Sequence, residues 1–398
     1  MIQLFINRTM VSKTLILYLF YMVDITINLV LAIPISTGKG LSMCDLVVNN
    51  AGTKKQLICN VKKGQTLDYR DVRAWSAKEV QGKYFVQITC TGGRLFLSWP
   101  FKAKNVESLE VQDCLIEGFL AEMTTKQTVA DELQSLVLAR TSIEIGLSEM
   151  YDLRNNINKI SQDTDCGQLT LVNLVLRDVH YDVKASPEER DGLVHMHTNS
   201  PMHAKIPHET TQQKCIYPNL KYVDESGSRK SGQYYLKLLP GYSYFPKLEI
   251  YNMSRNELSH VPEFFRHLQT DKFPSLRLID FSNNFLRSFE FELPVDMKLS
   301  YLEVIDLHGN DIAALSPVTT KKLENLGSVF VDLRENPLHC SCRLKDLQQY
   351  FENQYRGTMD VTIRQRVTDI TCMQAVLPYG TFNRINLMDV IFDKKCQV

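Results

Sequence analysis

Leu248-Glu-Ile-Tyr-Asn-Met-Ser-Arg-Asn-Glu-Leu258 fits the frame L-x-x-L-x-L-x-x-N-x-L, with Tyr251 and Met253 in its fourth and sixth places and Asn256 in its ninth. The same eleven-residue frame takes Leu276, Ile279, Phe281, Asn284 and Leu286, and again Leu302, Ile305, Leu307, Asn310 and Ile312. A fourth copy holds Val331, Leu333, Asn336 and Leu338, with Ser328 in place of the first leucine. The asparagines are spaced 28, 26 and 26 residues apart, inside the period of about 20 to 29 residues expected for stacked coils. Side chains alternate along a strand, so places four and six share one buried face. The asparagine falls where the chain turns inward, and there its amide can satisfy backbone groups of neighbouring turns that would otherwise be buried unpaired.

Upstream the frame degrades but persists. Leu220, Val223 and Ser228 continue it, followed backwards by Leu171, Leu174, Leu176 and Val179, then by Leu133, Leu136, Leu138, Thr141 and Ile143. The earliest copy is Val106, Leu109, Val111, Cys114 and Ile116, with cysteine in the slot where it substitutes for asparagine. These frames predict an α/β leucine-rich-repeat solenoid of about seven to nine coils, with a curved parallel sheet on its concave face and disulfide caps at both ends. The run from Glu144 to Ile160, with Ile145, Met150, Leu153 and Ile157 near helical spacing, is expected to cross the convex side.

The 45 basic residues cancel the 45 acidic ones, so no long-range field draws the chain to nucleic acid. Residues 1–36 read as a signal peptide: Arg8 and Lys13 precede apolar runs at Thr14–Val23 and Ile25–Ile35, with Met10 as an alternative start. Asp24 splits this segment, and a carboxylate near the bilayer centre costs roughly 2.5 kcal/mol or more; an uncleaved anchor is the alternative reading. From Leu41 onward no apolar run approaches the roughly 20 residues of a membrane span, so no stable span is expected after cleavage and the chain is expected to be secreted. The domain plan is then a signal at 1–36, a cysteine-containing cap at 41–100, repeats at 101–335 with an insertion at about 182–214, and a second cap at 336–398.

A solenoid exposes an apolar cross-section at each end and needs caps to stay soluble. After the last frame comes Asn336-Pro-Leu-His-Cys340-Ser-Cys342-Arg-Leu344, a short amphipathic stretch, then Cys372 and Cys396. Four cysteines allow three pairings. This string resembles the C-terminal cysteine-rich cap of extracellular leucine-rich-repeat proteins, a group that includes Toll-type receptor ectodomains and related secreted insect proteins. The resemblance covers roughly residues 84 to 398, and it implies bridges Cys340–Cys372 and Cys342–Cys396. The chain departs from Toll receptors in lacking a recognisable membrane span and cytoplasmic signalling domain. Near the other end, Cys44 and Cys59 bracket a polar loop before Tyr84-Phe-Val-Gln-Ile-Thr-Cys90, resembling a degenerate N-terminal cap and implying a Cys44–Cys59 bridge. The partners of Cys90 and Cys114 are open, and a buried free thiol is one reading of Cys114.

Between Val179 and Leu220 a polar insertion carries His195, His197, His203 and His208, flanked by Cys166 and Cys215. A Cys166–Cys215 bridge would staple its base, unless either cysteine pairs elsewhere. The histidines fall in no recognised ligand frame, so a solvated loop is expected rather than a metal site. No phosphate loop, nucleophile elbow or H-E-x-x-H motif is present; neither catalysis nor a cofactor is expected.

What remains is surface. Side chains at places 3, 5, 7 and 8 point out from the concave sheet and form the expected contact face for an extracellular protein ligand or receptor; they include Ile250, Arg255, Asp280, Asp306, His308, Asp332 and Arg334. Asp280, Asp306 and Asp332 recur at place 5 of three successive coils, where they form either an acidic stripe attractive to a basic patch or a row of merely solvated carboxylates. Asn252-Met-Ser254 is an N-glycosylation acceptor at the same place, and a glycan there would push binding toward the flanks or the C-terminal coils. A structural role in matrix or cuticle is the competing function.

Overall fold

Apolar side chains at places 4 and 6 of the framed coils are buried, from Leu109 and Val111 through Tyr251 and Met253 to Val331 and Leu333, with Glu225 the one charged residue at these places, and their burial sets the winding. The computed structural model describes residues 31–34, 41–48, 55–78, 82–122, 130–149, 168–184, 215–228, 243–262, 265, 273–289, 291, 301–325, 329–376 and 381–392. In these, twelve strands form one sheet: β1 (Leu31–Pro34), β2 (Cys44–Val48), β3 (Lys55–Lys62), β5 (Tyr84–Thr91), β7 (Val106–Gln112), β9 (Ser135–Ala139), β11 (Asn173–Arg177), β14 (Tyr222–Asp224), β16 (Ile250–Asn252), β17 (Leu278–Asp280), β18 (Val304–Asp306) and β19 (Phe330–Asp332). The pairs β1–β2 and β2–β3 are antiparallel. All later pairs are parallel and close to one register, as in Tyr222↔Ile250↔Leu278↔Val304↔Phe330. The protein is a leucine-rich-repeat solenoid. Parallel winding begins at β3, and β1 lies inside the stretch assigned to the signal.

A second parallel sheet joins β4 (Thr66–Asp68), β6 (Arg94–Phe96), β8 (Leu115–Glu117), β10 (Ser142–Gly146) and β12 (His180–Lys184). It follows place 9 of the early coils, where Cys114, Thr141 and Val179 stand instead of asparagine. Backbone bonds such as Ser142 N to Cys114 O and His180 N to Thr141 O, both 2.9 Å, satisfy the groups there. In the later coils the asparagines do this work. Asn284 donates to Met253 O and Phe281 O and accepts from Asn256 N and Leu258 N at 2.9–3.1 Å; Asn256, Asn310 and Asn336 repeat the pattern. Glu144–Gly146 belong to β10, which corrects the helix expected from Glu144: the alternation Ile143, Ile145 buries one face of a strand. Residues 147–149 are helical, in line with the expectation, and the rest of that helix, from residue 150, lies outside the described residues.

Opposite the sheet, Tyr217, Phe245 and Phe273 stack at centroid distances of 5.2 and 5.6 Å. Small two-stranded sheets pair β13 (Cys215–Ile216) with β15 (Ser243–Tyr244), and β20 (Thr371–Val376) with β21 (Thr381–Asn386). The C-terminal end is covered by α3 (Lys345–Gly357), which follows α1 (Tyr69–Lys78) and α2 (Pro317–Asn325) in the chain, and by α4 (Val361–Thr368). Helix α3 buries Leu347, Tyr350 and Phe351 against the last coil, where Tyr350 donates its hydroxyl to Val329 O at 2.7 Å. Cys44 is bonded to Cys59, Cys90 to Cys114, and Cys340 to Cys372. The Cys90–Cys114 bridge gives both cysteines the partner left open and removes the free-thiol reading of Cys114: neighbouring strands β5 and β7 bring both into the same core layer. Cys342 is also disulfide-bonded, while Cys396 and Cys166 lie outside the described residues, as do the four insertion histidines.

Candidate functional site

Place 5 forms a straight column across the concave face: Asp224, Asn252, Asp280, Asp306 and Asp332 are register partners on five adjacent strands. Each accepts, through Oδ1, the backbone N–H two residues on, from Ser226, Ser254, Ser282, His308 and Arg334, at 2.8–3.2 Å. This is the Asx turn, in which a short side chain ends a strand by satisfying the next free donor. The column is therefore part of the fold before it is part of any binding surface. One step further on, Gly227, Arg255, Asn283, Gly309 and Glu335 adopt left-handed backbone with φ between 54° and 74°. Glycine suits position 227, where a Cβ would meet Asp178 Oδ1 at 2.0 Å and oblige that carboxylate to move. Arg255 is exposed at this turn.

The second oxygens of the column separate its members. Asp224 is buried and pairs with Arg177 at 2.6 Å. Burial pushes its carboxyl upward, but the hydrogen bonds from Ser226 and Arg177 prevail and hold it below the ordinary value. Asp332, expected on the open face, is 0 % exposed: Arg334 grips both its oxygens at 2.8–3.2 Å and Arg366 of α4 approaches to 3.7 Å. Asp306 accepts from His308 Nδ1 at 2.8 Å; that bond, opposed by burial and reinforced by the charges of Asp306 and Asp332, raises the imidazole above its usual value. Asp306, His308 and Asp332 bring ligand atoms within 4.8 Å of one another, a spacing open to a metal ion, yet the Arg334 guanidinium already neutralises the deepest carboxylate. Asp280 differs. Burial, helped by the charge of Asp306, raises its carboxyl above the ordinary value, and among the described residues no cation comes within ion-pair distance of it.

Place 3 carries an apolar row in the same register, Tyr222, Ile250, Leu278 and Val304, all partly exposed, ending at Phe330, which the cap buries. Beside it, at place 2, Lys221 pairs with Glu249 at 3.1 Å and Arg277 with Glu303 at 2.9 Å. Asn252 ties its Oδ1 into the turn and is itself half-buried on the open face. The turn role of place 5 was missed from sequence, although Asp224-Glu-Ser226, Asn252-Met-Ser254 and Asp280-Phe-Ser282 share a spacing that signals it.

No family model matches the chain, and no curated protein matches it. Among solved structures, it is similar to human 5T4 (Wnt-activated inhibitory factor 1, trophoblast glycoprotein), at 16 % identity and TM-score 0.43, over 89 % of this chain and 98 % of that one. It is also similar to a chain of the octameric complex of latrophilin 3, Unc5D and FLRT2, at 14 % identity and TM-score 0.34, over 74 % and 80 %. No described helix is long and apolar enough to cross a membrane.

Proposed function

We propose that this chain is a secreted, extracellular recognition protein that binds a protein ligand or receptor on its concave face, in signalling, adhesion or innate immunity. The observation that carries the reading is the open parallel sheet whose place-3 and place-5 side chains line up strand by strand over β14 to β18 and, apart from the buried Asp224, remain partly exposed. A rigid, preformed surface loses little order on binding, which suits a protein partner. The three described disulfides support an oxidising compartment, and the bridge at Cys340–Cys372 supports placement with capped extracellular leucine-rich-repeat proteins of the Toll-ectodomain kind. Asn252 is proposed to bear a glycan that limits access from the N-terminal side.

Titration of the purified chain against a panel of immobilised extracellular receptor domains tests this. Saturable one-to-one binding is expected. Concentration-dependent polymerisation in analytical ultracentrifugation, with no saturable partner, would instead favour a matrix or cuticle role.

A further inference from the structure

We propose that the concave face over β17 and β18, on the C-terminal side of Asn252, receives an extended segment of a partner protein whose basic side chain pairs with Asp280, while its apolar residues lie along Leu278 and Val304. This rests on the recognition reading and names the chemistry of the partner.

The charge pattern points to a cation. Of four carboxylates in the column, Asp224 has Arg177, Asp306 has His308, and Asp332 has Arg334 and Arg366. Asp280 has hydrogen bonds from Ser282 and feels the charge of His308 only at longer range, with no cation within ion-pair distance among the described residues. A half-buried carboxylate gains more from a charge-assisted hydrogen bond than a fully solvated one, because solvent competes less there. The flanking ions cannot serve: Arg277, on the same strand, is held by Glu303 through Nε and Nη2 at 3.0 and 2.9 Å.

The apolar pattern fixes how the segment lies. Leu278 and Val304 are register partners, so neighbours in the row are about 4.8 Å apart, and an extended chain crossing the strands would lay down roughly one residue for each 3.4 Å. Leu278 and Asp280 are two residues apart on one strand, about 7 Å, which a lysine or arginine seated over the row can span. Self-paired ions at place 2 form one bank and the aspartate column the other, so one basic side chain directed toward place 5 completes the face electrostatically.

The fold contains its own controls. Asn252 makes the same turn bond as Asp280 on the adjacent strand, so Asp280→Asn removes the charge and keeps the turn; because asparagine at position 280 would complete an N-x-Ser glycosylation acceptor with Ser282, wild type and both variants are produced without glycans, by oxidative refolding of bacterially made protein. Arg334 neutralises Asp332 from two residues further along; Ser282→Arg puts an arginine in that relation to Asp280 and supplies the missing cation internally. A phage-displayed library of random linear peptides is selected on the immobilised full chain, and the enriched peptides are synthesised and titrated against wild type and both variants. Enrichment of arginine or lysine beside apolar residues is expected, with affinity lowered about ten-fold or more by either variant and thermal unfolding of Asp280→Asn unchanged. The proposal is overturned by enriched peptides that lack a basic residue, by peptides that bind Asp280→Asn as tightly as wild type, by no enrichment, or by a self-association that Asp280→Asn abolishes. Each of these leaves the receptor titration standing as the separate test of recognition.

Discussion

Glu225 occupies place 6, which in the following coils holds Met253, Phe281, Leu307 and Leu333. It is 5 % exposed and accepts a hydrogen bond from the Tyr251 hydroxyl at 2.8 Å, with the buried Tyr181 hydroxyl nearby. Burial, against the Tyr251 bond and with the charge of Asp224, pushes its carboxyl from 4.5 up to about 7. The folded state therefore favours the neutral acid. Its stabilising contribution is fully present below the unfolded value of 4.5 and is lost as pH rises through about 7. At 1.36 kcal/mol for each pH unit of displacement, the loss is on the order of 3 kcal/mol. Glu225→Gln keeps a polar isostere that cannot ionise, so the stability difference between variant and wild type should move in the variant's favour by about that amount between pH 4.5 and pH 8. Urea unfolding of both proteins at several pH values, followed by far-ultraviolet circular dichroism, reads this difference directly, and the titrations of all other groups cancel in it. Parallel pH profiles for the two proteins would refute the reasoning, and would mean that Glu225 stays ionised in the core with a compensating partner.

Asn284→Ala should cost about 3 kcal/mol or more, since it leaves Met253 O, Phe281 O, Asn256 N and Leu258 N in the core without the side chain that serves all four; a loss under 1 kcal/mol in chemical denaturation would show that the backbone re-pairs without the ladder. Ser254→Ala deletes the glycosylation acceptor yet spares the Asn252 turn, because the bond from residue 254 comes from its backbone N–H. Glycopeptide mapping of secreted wild type should find Asn252 modified and the variant bare with unchanged thermal stability. An unmodified wild-type Asn252 would return the whole concave face to ligand binding.

The C-terminal coils were legible because one residue type does one job at a fixed spacing: Asn256, Asn284, Asn310 and Asn336 each bridge two coils, and Ser228 at the same place makes a longer version of the bridge through its hydroxyl, to Leu176 O and Glu225 O. The N-terminal coils were harder for the same physical reason. Cys114, Thr141 and Val179 cannot form the ladder, and the backbone pairs as a second sheet through β8, β10 and β12 instead, a solution that depends on main-chain geometry and leaves only weak apolar alternation in the residues. The aromatic stack was visible in principle, as Tyr217-Pro-Asn-Leu220, Phe245-Pro-Lys-Leu248 and Phe273-Pro-Ser-Leu276 repeat one tetrapeptide pattern. The aspartate column is the instructive case. Its regularity suggested either a binding stripe or solvated charge, and the regularity comes from neither: every coil must end its strand, and Asp or Asn at place 5 does so through Oδ1. Periodicity alone therefore marks structure here. What can mark function is departure from it, and Asp280 departs: it shares the turn with its neighbours, yet among the described residues it has no basic side chain at ion-pair distance, whereas Asp224 has Arg177, Asp306 has His308 and Asp332 has Arg334.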